Sequence, residues 1–209
     1  MARLTTVARL AVDRVAAADY ASVTTLQGSQ YTTVAASDDI AVAVDEAQYA
    51  DGPCLRAMRT GEPVTVPDTT ATMQWPGFHE VAPGLGLESS VSIPLYTGRG
   101  TPIAVLNVDS RDRSAMEPLI VEVAALYATR RELSPGADGP PVSDPGAAEL
   151  LTGYAQALAV RATIQLAIHV VAGRTGSTPD DAYARLCARA AETGTSLTVV
   201  ADAVLRESL

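Results

Sequence analysis

Ser89-Ser90-Val91-Ser92-Ile93-Pro94-Leu95-Tyr96-Thr97-Gly98-Arg99-Gly100-Thr101-Pro102-Ile103-Ala104-Val105-Leu106-Asn107-Val108 decides the fold of the first part of this chain. Two short runs rich in apolar residues, 89–95 and 103–108, flank the turn formers Thr97-Gly98-Arg99-Gly100. Each run has strand length and is too short for an independent helix. A glycine-bearing turn between two such runs makes a β-hairpin. Upstream, Pro63-Val64-Thr65-Val66-Pro67 reads as a short strand, and residues 20–26 and 31–36 as another hairpin around Gln27-Gly28-Ser29. Helical patterns surround these strands. Leu4, Val7, Ala8, Leu10, Ala11 and Val15 recur at helical spacing. Asp38 and Asp39 start a helix reaching about residue 49, because carboxylates favour the positive end of the helix dipole. Gly52-Pro53-Cys54 opens a short helix over 55–59 that Gly61 ends. Residues 75–81 form a loose helix, and 114–132 close the module with a longer one. This order predicts an α+β domain, with helices at one face of an antiparallel sheet.

Beyond it the composition changes. Residues 134–146 are dense in Pro, Gly, Ser and Asp and read as an exposed linker. From Ala147 everything is helical. Ala147, Leu151, Tyr154, Leu158, Arg161, Gln165 and Ile168 step by four and three, a heptad seam that pairs with a helix of the same chain or of a second copy. Gly173 and Gly176 end that helix. Thr178-Pro179-Asp180-Asp181 starts the next, with a hydroxyl cap, Pro at the first helical position and acids in the first turn. Gly194 stops it, and Ser196 caps a third helix with Leu197, Val200, Ala201 and Val204 on its buried face. The expected boundaries are therefore 1–133, a linker over 134–146, and a three-helix bundle over 147–209.

Bulk composition narrows the function. Of 209 residues, 47% are hydrophobic and 4% aromatic, so the core is built mainly from Ala, Val, Leu and Ile. No run of roughly 18 uninterrupted apolar residues is read, and the N-terminus lacks a signal-peptide core, so a cytoplasmic protein without membrane contact is expected. Every basic residue is Arg, and the net charge of −9 disfavours nonspecific nucleic-acid binding through the global field. Two distant cysteines, Cys54 and Cys187, exclude a disulfide framework and offer no metal cluster. No phosphate-binding glycine loop, metal-ligand set or Ser-His-Asp arrangement stands out, and no enzyme is expected.

Residues 4–133 resemble a GAF domain. The carriers are the order of elements, the stretch from Asp51-Gly52-Pro53-Cys54-Leu55-Arg56-Ala57-Met58-Arg59-Thr60-Gly61 to Glu62-Pro63-Val64, and the strand pair quoted above. Residues 147–209 resemble an ANTAR domain through Arg161-x-x-Ile164-x-x-Ala167, Asp181-Ala182-Tyr183, Leu186 and Leu197-x-x-Val200-Ala201. The architecture is similar to actinobacterial GAF and ANTAR domain-containing antitermination regulators. That resemblance implies a sensor that takes a small-molecule ligand, of identity unknown, joined to a homodimeric module that binds RNA hairpins and controls transcription antitermination.

The phosphate-binding candidates are Arg161, Arg174, Arg185 and Arg189, with Tyr183 as a stacking surface. Ligand-pocket candidates are Cys54, Trp75, His79 and Tyr96; His79 also offers a haem ligand on the analogy of other GAF sensors. Against the RNA reading stand neutral residues where the resemblance implies basic ones: Ile168-His169 in place of a Lys-Gly pair, Cys187, and Thr195, Ser196 and Thr198 around Leu197. Residues 147–209 hold five Arg against six acids. The alternative is therefore a dimeric GAF signalling or interaction protein whose degenerate ANTAR domain no longer binds RNA. A third reading, a redox enzyme built on Cys54, starts from the thiolate stabilisation available at a helix start.

Overall fold

The computed structural model describes residues 2–28, 30–48, 50–132 and 143–208. Ser29 of the expected turn and residues 134–142 of the expected linker lie outside the described residues. The elements run α1 (Ala2–Arg14), β1 (Tyr20–Gln27), β2 (Gln30–Ala36), α2 (Asp39–Glu46), α3 (Pro53–Thr60), β3 (Val64–Val66), α4 (Pro76–Gly84), β4 (Ser89–Tyr96), β5 (Pro102–Ser110) and α5 (Arg113–Glu132). After these come α6 (Pro145–Thr175), α7 (Pro179–Thr193) and α8 (Leu197–Arg206). They fall into two compact units: Met1–Leu95 with Pro102–Tyr154, and Tyr96–Thr101 with Ala155–Leu209.

The first unit is an α+β fold around a five-stranded antiparallel sheet of order β2-β1-β5-β4-β3. β5 is central, and its register against β1 sets Tyr20 opposite Asp109, Ser22 opposite Asn107 and Thr24 opposite Val105. Side chains alternate across a strand, so these residues share one face. On that face Asn107 meets Asp45 of α2 and Cys54 of α3. Ala104, Leu106 and Val108 point the other way and are equally buried. Covering helices therefore lie on both faces, not on one as the element order suggests. Unbroken burial of Ser89–Ile93 in β4, and of β5 from Ala104 onward, has the same cause.

Local chemistry places the short helices. Asp38 caps α2, its Oδ1 accepting from the Ile40 N–H at 2.9 Å. Gln48 Oε1 accepts from the Cys54 N–H at 2.8 Å, so a side chain from outside α3 satisfies one of its first amides. Gly52 is needed for this approach, since a Cβ there would stand 2.6 Å from Gln48 Cβ. α6 begins at Pro145, two residues before the expected start of the helical bundle at Ala147. Asp144 Oδ2 accepts from the Ala147 N–H at 2.9 Å and so caps the helix.

In the second unit Ile164, Ala167, Ile168, Ala182, Leu186, Val200, Ala201 and Val204 form one core. Thr178 accepts from the Asp181 N–H and Ser196 from the Val199 N–H, as their cap positions predict. Gly194 ends α7 in the left-handed conformation, φ 63°. The apolar seam residues Ala147, Leu151, Tyr154, Leu158 and Ile168 are buried within the single chain. Val160, 40% exposed, and Leu166, 56% exposed, lie off this seam. By length and composition α6 is long and apolar enough to cross a membrane, and 22% of its most apolar stretch is buried. Alanine raises the average without making a continuous apolar run, and Gln156, Arg161, Gln165 and His169 interrupt the helix.

Candidate functional site

The sheet face toward α2 and α3 carries hydroxyls, an amide and carboxylates where a packed core would ordinarily be apolar. Asp45 is fully buried; its Oδ2 accepts from Thr24 at 2.9 Å and from Thr33 at 2.6 Å. Asp45 Oδ1 accepts from Asn107 Nδ2 at 3.0 Å. The same amide faces Ser22 Oγ at 3.1 Å and Cys54 Sγ at 3.3 Å, while Ser92 Oγ donates to Asn107 Oδ1 at 2.8 Å. A polar network this dry is stable only because its members satisfy one another. Burial raises the Asp45 carboxyl, and the donors from Thr33, Ser22, Thr24 and Asn107 pull it back in part.

This setting decides Cys54. Burial first, and the neighbouring Asp45 charge second, push its thiol up to about 12. Its place at the start of α3 does not produce a thiolate, because desolvation outweighs a short helix's dipole. Cys54 is a neutral member of the core beside Ala57, Met58 and Val105. Asp109, next along the polar face, is also buried. Desolvation raises its carboxyl to about 7 against a hydrogen bond from Ser90, and Oδ1 has no partner among the described residues.

The other ligand-pocket candidates do not converge with Cys54. Trp75 packs into a separate cluster with Val44, Val66, Phe78, Ala82 and Leu87. Trp75 also lines a surface cleft of about 490 Å³ with Asp51, Arg56, Arg59, Thr60 and Gln74. His79 Nδ1 lies 3.0 Å from the Thr69 carbonyl, which orients the half-buried ring. Tyr96 belongs to the second unit, where its ring lies under Arg161, 4.2 Å from the guanidinium. Arg56 and Arg59 escaped selection as site residues, although two arginines three apart on a short helix are visible in the sequence.

Within the second unit the turn residues 96–101 pack among the helical residues. A Cβ on Gly98 would lie 3.0 Å from Leu197 Cδ2, and one on Gly100 2.3 Å from Gln165 Nε2. Arg99 pairs with Asp180 and lies 5.4 Å from the ring centroid of Tyr183. Burial and the neighbouring Cys187 push the Tyr183 phenol up. Two of the five nucleic-acid candidates, Arg161 and Tyr183, are thus engaged inside the unit, and Arg161 Nε is buried without a hydrogen-bond partner among the described residues. Arg189 pairs with Glu207 at 3.1 Å. Arg174 and Arg185 are exposed and form no ion pair among the described residues.

Three of the neutral positions have structural work. Ile168 is a core residue, Ser196 is the cap of α8, and the exposed His169 bonds the Gln165 carbonyl at 2.7 Å. A residue held inside the core adds or removes no charge at the surface.

The comparisons agree with this layout. A model for the GAF domain matches residues 2–130, and one for the ANTAR domain matches residues 152–205. No curated protein matches. Among solved structures, the chain is similar to type II free methionine-R-sulfoxide reductase from Thermoplasma acidophilum (18% identity, 61% of this chain and 88% of that one, TM-score 0.46). It is also similar to the GAF domain region of a membrane protein from Geobacter sulfurreducens (17% identity, 62% and 91%, TM-score 0.45). A domain of a two-component sensor histidine kinase from Sinorhizobium meliloti is a third (17% identity, 64% and 93%, TM-score 0.41).

Proposed function

The chain belongs to the GAF domain family and carries an ANTAR domain behind it, a pairing of regulatory domains of the antitermination type, and on that premise we propose that it acts as a homodimer that binds RNA hairpins in response to a signal at the GAF domain. The observation carrying this reading is the ANTAR match over 152–205, following the GAF match in the same chain. The two exposed guanidiniums of Arg174 and Arg185 support it, since phosphate contacts supply most nucleic-acid affinity. Exposed Val160 and Leu166 on α6 support the dimer. The protein acts by binding, with no catalytic step, in keeping with a Cys54 thiol held neutral by burial.

The test is a fluorescence anisotropy titration of paired RNA hairpins at several salt concentrations. Binding is expected to weaken with salt, and replacing Arg174 or Arg185 with Ala should reduce the salt slope by about one unit each. Absence of binding at low salt would overturn the proposal.

A second reading, a signalling or interaction protein without RNA binding, draws on one observation. Arg161 and Tyr183 are occupied by Tyr96 and Arg99. The same titration separates the two readings.

A further inference from the structure

The surface cleft beside Trp75 has a composition that the rest of the molecule does not prepare one to expect. The chain carries 24 acidic residues against 15 Arg, yet here Arg56 and Arg59 face a single carboxylate, Asp51. The two arginines stand three apart on α3, so they project from neighbouring positions on one side of the helix. Arg59 is held from two directions, by Asp51 at 3.6 Å and by the Tyr31 ring at 6.0 Å. That ion pair is longer than the roughly 2.7–2.9 Å of a strong charge-assisted bond. It orients Arg59 without consuming its donors. Arg56 has no ion pair or ring contact among the described residues.

The remaining walls differ in stiffness. Trp75 is only 6% exposed and locked in a core with Phe78 and Val66, so it forms a stiff, largely apolar part of the wall. The Thr60 hydroxyl is committed, donating to the Arg56 carbonyl at 2.9 Å and accepting from the Glu62 N–H at 3.1 Å. Gln74 is exposed and offers an adaptable amide. A volume of about 490 Å³ falls within the roughly 300–1,000 Å³ typical of small-molecule sites.

We propose that this cleft binds a small organic acid with a flat apolar body, its acid group held by Arg56 and Arg59 and its body laid against Trp75. A guanidinium fork matches a carboxylate or phosphate in two-point geometry, and an arginine without a protein partner supplies that fork at no cost in broken ion pairs. The cleft therefore selects for negative charge, with Gln74 completing the polar rim. Coupling of this site to RNA binding rests on the sensor reading above; occupancy of the cleft does not.

Trp75 is the sole tryptophan, so the fluorescence comes from a single residue in the wall of the cleft. The full chain is titrated with benzoate and with phenyl phosphate, using uncharged benzamide and inorganic phosphate as controls and exciting at the red edge of tryptophan absorption. The expected result is a saturable change with at least one aromatic acid and none with benzamide. Inorganic phosphate should bind at least tenfold more weakly. Arg56→Gln, at an exposed position, should weaken the aromatic acid at least tenfold, and Arg59→Gln should do so independently, with melting curves showing both variants folded. No saturable change with either acid, an equal response to benzamide or inorganic phosphate, or undiminished binding by folded Arg56→Gln would overturn the assignment. RNA binding is read separately by anisotropy, so failure of one proposal leaves the other standing or falling by its own measurement.

Discussion

Asp109 sits in an environment far from that of an ordinary carboxylate. Its folded-state pKa of about 7 lies above the ordinary 3.8, with desolvation as the leading cause. The unfolded chain gives up this proton first, so between these two values the native state holds more proton than the unfolded one. The contribution of Asp109 to stability is therefore greatest below about pH 4 and declines until about pH 7. Asp109→Asn removes the titration while keeping the shape. Urea denaturation should find the variant close to the parent at about pH 4 and more stable at about pH 8, by at most roughly 4 kcal/mol. An equal difference at both pH values would refute this account. The strand expected from the sequence stops at Val108; the structure carries β5 through Asp109, opposite Tyr20. Nothing in the pattern of a single strand reveals that its carboxylate faces a covered sheet. Cys54 teaches the same lesson: its helix position is legible in the chain, while the burial that overrides it is set by α2 and β5.

At the scale of elements, caps and glycines carried most of the legible information, because they act through neighbouring backbone. Thr178 and Ser196 make the bonds that their positions imply. Each should cost about 1 kcal/mol when replaced by Ala, measured by thermal or urea denaturation. Gly194→Ala should cost roughly 1–2 kcal/mol, since an L side chain is strained at φ 63°. No loss of stability in any of the three would remove the local account of α7 and α8. The strand pair 89–95 and 103–108 was legible for the same reason, although β5 extends to Ser110 and β4 to Tyr96. Coverage of both sheet faces was not, because it depends on helices far away in sequence.

At the scale of the molecule the heptad seam of α6 is informative in an unexpected way. Its apolar positions are spent within one chain, leaving Val160 and Leu166 as exposed apolar side chains on that helix. Sedimentation of the full chain should detect a concentration-dependent dimer, and Leu166→Glu should weaken it at least tenfold, because a buried unpaired carboxylate is costly. A monomer at all concentrations, or a dimer indifferent to Leu166→Glu, would exclude this face. The predicted arginine set divides similarly. Arg174 and Arg185 form no ion pair among the described residues, whereas Arg161 and Tyr183 are engaged by residues 96–101, more than fifty positions upstream.

Element order, helix ends, the strand hairpin and the two domain types follow from the amino-acid sequence alone, since periodicity, capping and turn chemistry are local interactions. Which polar groups are buried, which arginines remain unpaired and which apolar side chains of α6 stay exposed required the folded chain. Desolvation, ion pairing and packing are properties of residues brought together from distant positions, and no local pattern encodes them.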